Sequence, residues 1–389
     1  MSAVREYLGR NVRQYGIMGA LVAIVLLFEY LTDGRLLMPD NVASLVQQNA
    51  YVMILAIGMV MVIVAGHIDL SVGSVVAFIG GIAGIAMDKW NLPWLLAVLL
   101  ALVVGALVGA WQGYWIAFVG IPAFIVTLAG MLIFRGLAIV LVGTTIAGLP
   151  SGFNAISNGY LPNLLNYTGD RDVLTLVIGI IAIAGLFLTQ FRSRATLKKH
   201  DLEVEPTAAF AGKLVLFALL LGYITYVLSG STGMPIVLII VGALILVYTF
   251  VLGRTVFGRH IYAIGGNLNA AILSGVNTRR VNFGIFVNIG VLAGVAAIVT
   301  TSRAGAAVAA AGDSYELDAI AACFIGGTAV TGGVGKVSGA MIGALIMGVL
   351  NMGLSIMSVD PSWQKAIKGL VLLAAVAFDL VNKRRAGGR

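Results

Sequence analysis

A chain of 389 residues that is 60% hydrophobic and 10% charged, with mean hydropathy +1.03, is not an ordinary soluble domain, in which about a quarter of residues are charged. Apolar runs recur from end to end and leave no room for an independent soluble unit, so residues 1–389 read as one transmembrane domain. The net charge of +8 does not imply nucleic acid, because the cations gather in tails and loops that flank apolar runs, as the positive-inside rule describes.

The first apolar run, Ile17 to Leu31, is followed by Thr32-Asp-Gly-Arg-Leu36 without a small-residue cleavage site, so it reads as a retained helix rather than a signal peptide. Candidate spans follow at 17–32, 44–66, 71–87, 94–119, 123–145, 173–191, 208–228, 235–253, 283–301, 318–332, 337–356 and 366–382. The basic groups are Arg5, Arg10, Arg13; Arg192, Arg194, Lys198, Lys199; Arg254, Arg259, Arg279, Arg280; and Lys383, Arg384, Arg385, Arg389. They must share one side of the membrane, which requires even numbers of crossings between them. The expectation is an all-α polytopic bundle of ten to twelve spans with broken or half-helices and both termini cytoplasmic. Span 318–332 is the weak one, short and rich in glycine.

Between two apolar runs, Tyr51 to Ala65 and Val75 to Met87, lies Gly66-His-Ile-Asp-Leu-Ser-Val-Gly-Ser74. Non-helical backbone in a bilayer is tolerated only where protein or a water-filled cavity satisfies it, and an ionisable group there is costly. The combination points to a transporter. Asp69 either shapes the solute path and clamps a broken helix, or caps the helix that starts near Ser71, with Ser71 and Ser74 as further hydroxyl caps. Gly326-Gly-Thr-Ala-Val-Thr-Gly-Gly333 echoes this stretch with glycines at both ends, a pattern expected of internal repeats whose broken helices meet at the substrate site. Glycines at Gly80, Gly81 and Gly84, and at Gly105 and Gly109, predict close helix packing.

The charged stretch 192–207 reads as a solvated cytoplasmic connection. The loop within 254–282 has internal order: Asn267 caps a short helix whose Leu268, Ala271 and Ile272 share one apolar face, and Ser274-Gly275 ends it. Such a helix either lies on the membrane surface or inserts into a partner's groove, and periodicity alone favours the surface.

No catalytic constellation occurs. One cysteine and three scattered histidines offer neither an intramolecular disulfide nor a metal site. Thr331-Gly-Gly-Val-Gly-Lys336 is not a P-loop, because Val330 stands where its first glycine belongs and Val337 where magnesium needs a hydroxyl. If ATP drives this protein, another chain binds the ATP and Mg.

Four ordered stretches resemble the permease subunits of bacterial ATP-binding-cassette (ABC) importers for monosaccharides, the ribose, xylose and galactose class. They are Gly66–Ser74; Ile121-Pro-Ala-Phe-Ile-Val-Thr-Leu-Ala-Gly-Met131 with Arg135-Gly136; Gly258–Gly275; and Glu316–Gly327 with Gly332–Gly335. The likeness runs from about residue 40 to the C-terminus and is greatest for the xylose-type and multiple-monosaccharide members. It implies an inner-membrane homodimer, docked on cytoplasmic ABC ATPase subunits and fed by a periplasmic sugar-binding protein. It also makes the loop the coupling helix, with Tyr262, Asn267, Leu268, Asn269, Ala270, Ala271, Ile272, Ser274 and Gly275 at the ATPase. Many relatives carry an acid where this chain has Asn269, which puts a salt bridge to the ATPase in doubt, and an Asn where it has Gln112.

A neutral sugar needs hydroxyl, amide and aromatic partners, which makes Gln47, Asn49, Gln112, Thr127, Asn288 and Asn351 path candidates beside Asp69, Ser71 and Phe124. Gln48 belongs with them, and Trp111 and Trp115 serve equally as interfacial anchors. For amides on apolar spans, a helix–helix hydrogen bond is the competing role. Arg135 requires a carboxylate or carbonyl partner, Glu316 and Asp318 suit a helix N-terminus, and Arg303 and Asp313 lie where a docked binding protein would reach. Xylose is the first expected substrate. The alternatives are an ion-coupled carrier using Asp69, or a permease of the same architecture for a nucleoside or signalling molecule.

Overall fold

The computed structural model describes residues 12–202 and 204–387, so Arg5, Arg10 and Arg389 lie outside the described residues, and of Arg13 and Lys383–Arg385 only the backbone is described. Helices dominate: α1 (Val12–Leu31), α2 (Pro39–Val64), α3 (Val72–Asp88), α4 (Trp94–Tyr114), α5 (Ala123–Val142), α6 (Ser151–Asn158), α7 (Val173–Lys199), α8 (Thr207–Ser229) and α9 (Ile236–Arg254). They continue with α10 (Val256–Gly266), α11 (Leu268–Leu273), α12 (Thr278–Ala304), α13 (Tyr315–Ile325), α14 (Val337–Ile356) and α15 (Pro361–Gly387). The last turn of α4 widens into a π-helix at Trp115–Val119. The strands are short: β1 (Thr145–Ala147), β2 (Tyr167–Thr168), β3 (Arg171–Asp172) and β4 (Ala306–Val308), with β1 antiparallel to β4 and β2 to β3.

Eight described helices are long and apolar enough to cross a membrane: α2, α4, α5, α7, α8, α9, α12 and α14. The apolar part of α1, Gly16–Leu31, and α3 are shorter, and α3 with its 17 residues extends about 25 Å at 1.5 Å per residue. The expected span 318–332 is a half-helix: α13 stops at Ile325 because Gly326 and Gly327 follow, the latter at φ +87°, and the chain stays non-helical until Val337. Span 123–145 stops at Val142, where Gly143 turns the chain into β1. Spans 44–66 and 366–382 begin earlier than expected, at Pro39 and Pro361, residues whose fixed φ suits a first helical turn. Asp360 accepts the Ser362 amide at 2.8 Å, which holds its carboxyl below the usual range.

Contacts give direction. Gly81 of α3 faces Val142 of α5 and Gly80 faces Thr301 of α12, so these helices run together away from the α10–α11 loop. Helix α14 returns beside α2, with Gly335 just before it against Val64 and Gly348 against Asn49, and α13 with α15 runs toward the loop. Taken in chain order, α1 to α5, α7 to α9 and α12 to α15 alternate in direction, with α13 a half-helix, which places the start of α1 and the end of α15 at the loop end.

The core is α2, buried from Val42 through Val64 save at Ser44, Gln48 and Tyr51, and wrapped by α12, α13, α14 and α9. Helices α4 and α12 approach backbone to backbone, because Gly105 and Gly109 face the carbonyls of Gly290 and Phe286. Small residues make that approach possible in lipid, where association depends on packing rather than on the hydrophobic effect. The α7–α8 hairpin stands at the periphery.

Candidate substrate path and coupling face

Helix α2 ends when Gly66 takes φ +86°, and α3 does not begin until Val72. Inside this break Asp69 is 1% exposed, and its Oδ1 accepts both the Ser71 amide at 2.8 Å and the Ser71 hydroxyl at 2.6 Å. Gln112 of α4 donates to Ser71 Oγ at 2.7 Å, and the Thr127 hydroxyl of α5 donates to the Ile68 carbonyl at 3.3 Å. Four of the path candidates therefore converge as a clamp that ties the break to two neighbouring helices. Ser71 does not cap α3 with its side chain, as the sequence suggested; its hydroxyl is used by Asp69 and Gln112 instead.

This geometry separates the two roles of Asp69. The amide oxygen introduced by Asp69→Asn still accepts the Ser71 amide, whereas an ion-coupling acid tolerates no amide. Asp69→Asn is therefore expected to keep most solute uptake, and Asp69→Ala to cost about 1–3 kcal/mol by orphaning a buried donor. Thermal melting in detergent and uptake in vesicles check both; loss of uptake in a stably folded Asp69→Asn protein would refute the clamp.

The other candidates fall elsewhere. Asn49 of α2 accepts from Asn351 Nδ2 of α14 at 3.1 Å and donates to the Leu45 carbonyl. Gln47, 8% exposed, has no hydrogen-bond partner for Nε2, and Asn351 has none for Oδ1. Asn288 is held by Tyr248 of α9 at 3.0 Å and by the Gly284 carbonyl, the helix–helix role. Phe124, 55% exposed, points outward from α5.

A polar cluster that local pattern did not reveal lies on the far half of the bundle. Tyr51 of α2 donates to Asp318 Oδ2 at 2.7 Å, and Lys368 of α15 lies 3.2 Å from both Asp318 oxygens. The Tyr51 ring stacks on Tyr315, with centroids 3.5 Å apart. Glu316 and Asp318 both lie in the first turn of α13, as their sequence suggested, and Asp318 is in addition an ion-pair partner. Lys365 pairs with Asp313 at 2.7 Å, and Arg135 finds the carbonyl partners its position demanded, at Ala309 and Ala311.

At the loop end the two helix breaks meet. The Gly333 amide donates to the Val64 carbonyl at 2.8 Å, and Tyr262 of α10 donates to the Gly335 carbonyl at 2.6 Å. Gly265 presses against Val64 and Gly333 so closely that a Cβ there would strike backbone of both. Beyond this junction the loop protrudes. Asn267 caps α11 by accepting the Ala270 amide at 3.0 Å, as its sequence predicted, and Gly275 at φ +81° closes the helix with the Val276 amide on Ala271. Ala271 turns inward, while Leu268 and Ile272 stay 48% and 51% exposed; Asn269, Ala270 and Ser274 are exposed too. Among the described residues no three His, Cys, Asp or Glu side chains gather to hold a metal ion.

The family model described as branched-chain amino acid transport system / permease component matches residues 41–376. The chain is 41% identical over 377 residues to the xylose transport system permease protein XylH of Escherichia coli (strain K12), covering 96% of this chain and 93% of that one. It is 39% identical to XylH of Haemophilus influenzae, covering 96% and 98%. To the ribose import permease protein RbsC of Bacillus subtilis (strain 168) it is 33% identical, covering 92% and 89%. No solved structure matches the chain.

Proposed function

Because this chain belongs to the family of permease components described for branched-chain amino acid transport systems, we propose that it carries a neutral monosaccharide, xylose first, inward across the membrane. It is the multi-pass permease subunit of an ABC sugar importer in the bacterial inner membrane, not itself an enzyme, and it works with an ATPase and a solute-binding protein. Identity of 41% across nearly the whole length of a xylose permease carries the choice of substrate over the amino acids in the family's description.

The finer reading follows the geometry. Two copies form the pathway, both termini and the 254–282 loop face the cytoplasm, and α11 seats in the ATPase. The binding protein docks at the opposite end, where Arg303 and Asp313 lie. Exposed apolar side chains on a preformed, capped helix support the ATPase assignment over the membrane-surface one. Asp69, Ser71, Gln112 and Thr127 hold the broken helix, while Gln47, Asn49 and Asn351 mark a polar route along α2 and α14. Asn288 and Phe124 are its outlying candidates.

The test is uptake of labelled xylose by cells lacking their own xylose permeases and supplied with this chain, its ATPase and its binding protein. Uptake competed by excess xylose, and not by leucine or a nucleoside, is expected. Transport of another solute with no competition by xylose overturns the substrate assignment.

A further inference from the structure

The far half of the bundle holds groups that helix packing does not require. Lys368 of α15 and Asp318 of α13 border a cavity of about 60 Å³ that Met347 of α14 also lines, and Tyr51 of α2 donates to that same Asp318. A space of that size admits water, since about 10–15 Å³ of it is enough to hold one molecule. One helical turn along α2 from Tyr51 lies Gln47, whose buried amide nitrogen has no partner, and one turn along α14 from Met347 lies Asn351, whose amide oxygen has none. A buried orphan amide is a defect unless something visits it, because each such group forfeits its hydration. Ionisable groups at membrane depth are likewise rare and tend to mark a pathway.

Resting on the assignment of this chain as a sugar permease, we propose that Gln47, Tyr51, Asp318, Lys368 and Asn351 form a sugar-contact site, closed here, that takes a neutral aldose arriving from the far end. The groups match the ligand. A carboxylate accepts two sugar hydroxyls, an ammonium donates to hydroxyl or ring oxygens, an amide does both, and a tyrosine offers a flat face beside its hydroxyl. In the closed state three of them satisfy one another, since Lys368 spans both Asp318 oxygens and Tyr51 donates to one of them, while Gln47 Nε2 and Asn351 Oδ1 wait unpaired. A sugar replaces those bonds as α15 withdraws. Helix α15 is the wall best placed to do so: among the described elements its backbone approaches α13 most closely, and Ile367 and Val371 reach the Phe28–Leu354 cluster with their side chains.

A buried ion pair has a purely structural explanation, and two variants separate it from a binding role. In proteoliposomes containing the assembled importer, Asp318→Asn is expected to cut sugar flux at least tenfold. The charge swap Asp318→Lys with Lys368→Asp re-forms an ion pair without restoring the acceptor where the sugar needs it, so flux stays low; recovery to wild-type flux makes the pair structural and overturns the site. Gln47→Leu removes an orphan amide, so a structural role predicts an unchanged or more stable protein with wild-type flux. The site predicts a stable protein with flux at least threefold lower. Wild-type flux in either Asp318→Asn or Gln47→Leu refutes the proposal. Should the unmodified importer carry a different solute, the substrate assignment fails separately, and the same variants are read with that solute.

Discussion

Leu268→Glu combined with Ile272→Glu strips the ATPase from a permease that remains folded. Both side chains are about half exposed and the neighbouring Leu273 is 89% exposed, so the substitutions disturb little internal packing. The helix that carries them is set by the Asn267 cap and the left-handed Gly275, which the substitutions leave alone. Surface changes away from caps and cores usually stay within about 0.5 kcal/mol of neutral. Docked in a groove, each side chain loses its remaining exposed half, worth about 0.8–1.5 kcal/mol. Losing both weakens the complex by roughly tenfold to a hundredfold at about 1.4 kcal/mol per decade, before the cost of burying the new charges. Co-purification measures this directly, with thermal melting as the control for folding. Wild-type recovery of the ATPase on the double variant shows that α11 is not the docking helix.

Gly265→Val disrupts the loop-end junction and is the most damaging single substitution expected. Most overpacked positions relax by moving a side chain, at about 1–3 kcal/mol. Here the obstacles are the Val64 carbonyl and the Gly333 amide, backbone groups already bonded to each other at 2.8 Å. Relief requires separating α10 from both helix breaks, so the loss lies at or above the top of that range. The expected result is a lower melting temperature and, in whatever folds, ATP hydrolysis that no longer moves solute. Gly242→Ala is the matched control. That glycine sits in α9 with nothing near its would-be Cβ, and alanine there gains about 0.5–1 kcal/mol of helix stability. A Gly265→Val protein that melts with wild type would show that the junction is loosely packed.

What could be read in advance depended on how local the cause was. The break at Gly66–Leu70 was legible because a polar, glycine-bounded run interrupts apolar sequence, and the α11 cap because Asn267 precedes three apolar positions at helical spacing. Close approach of α4 to α12 followed from glycines four apart. The length of α13 was not legible, since Phe324 and Ile325 continue its apolar pattern up to the two glycines that stop it. Among the path candidates, Asn288 serves the helix-bridging role that amides on apolar spans commonly take. The cluster of Tyr51, Tyr315, Asp318 and Lys368 escaped because its members are brought together only by tertiary packing, across more than 260 residues of chain between Tyr51 and Asp318. Lys368 in particular lies within the expected span 366–382, where nothing in the local pattern singled it out.

The short pairing of β1 with β4 reaches further than its size. It joins the connection after α5 to the connection after α12, and Arg135 fastens the same stretch from within α5 through the carbonyls of Ala309 and Ala311. Two hairpin tops distant in sequence are thereby stapled into one braced frame, which cannot splay without losing strand bonds and a half-buried guanidinium's partners together. Opening at that end is therefore expected to be lopsided, a door hung on one jamb, with α15 moving against a fixed α3, α5 and α12 side. Spin labels placed on α15 should report wide distance distributions, and labels spanning the β1–β4 staple a single narrow one.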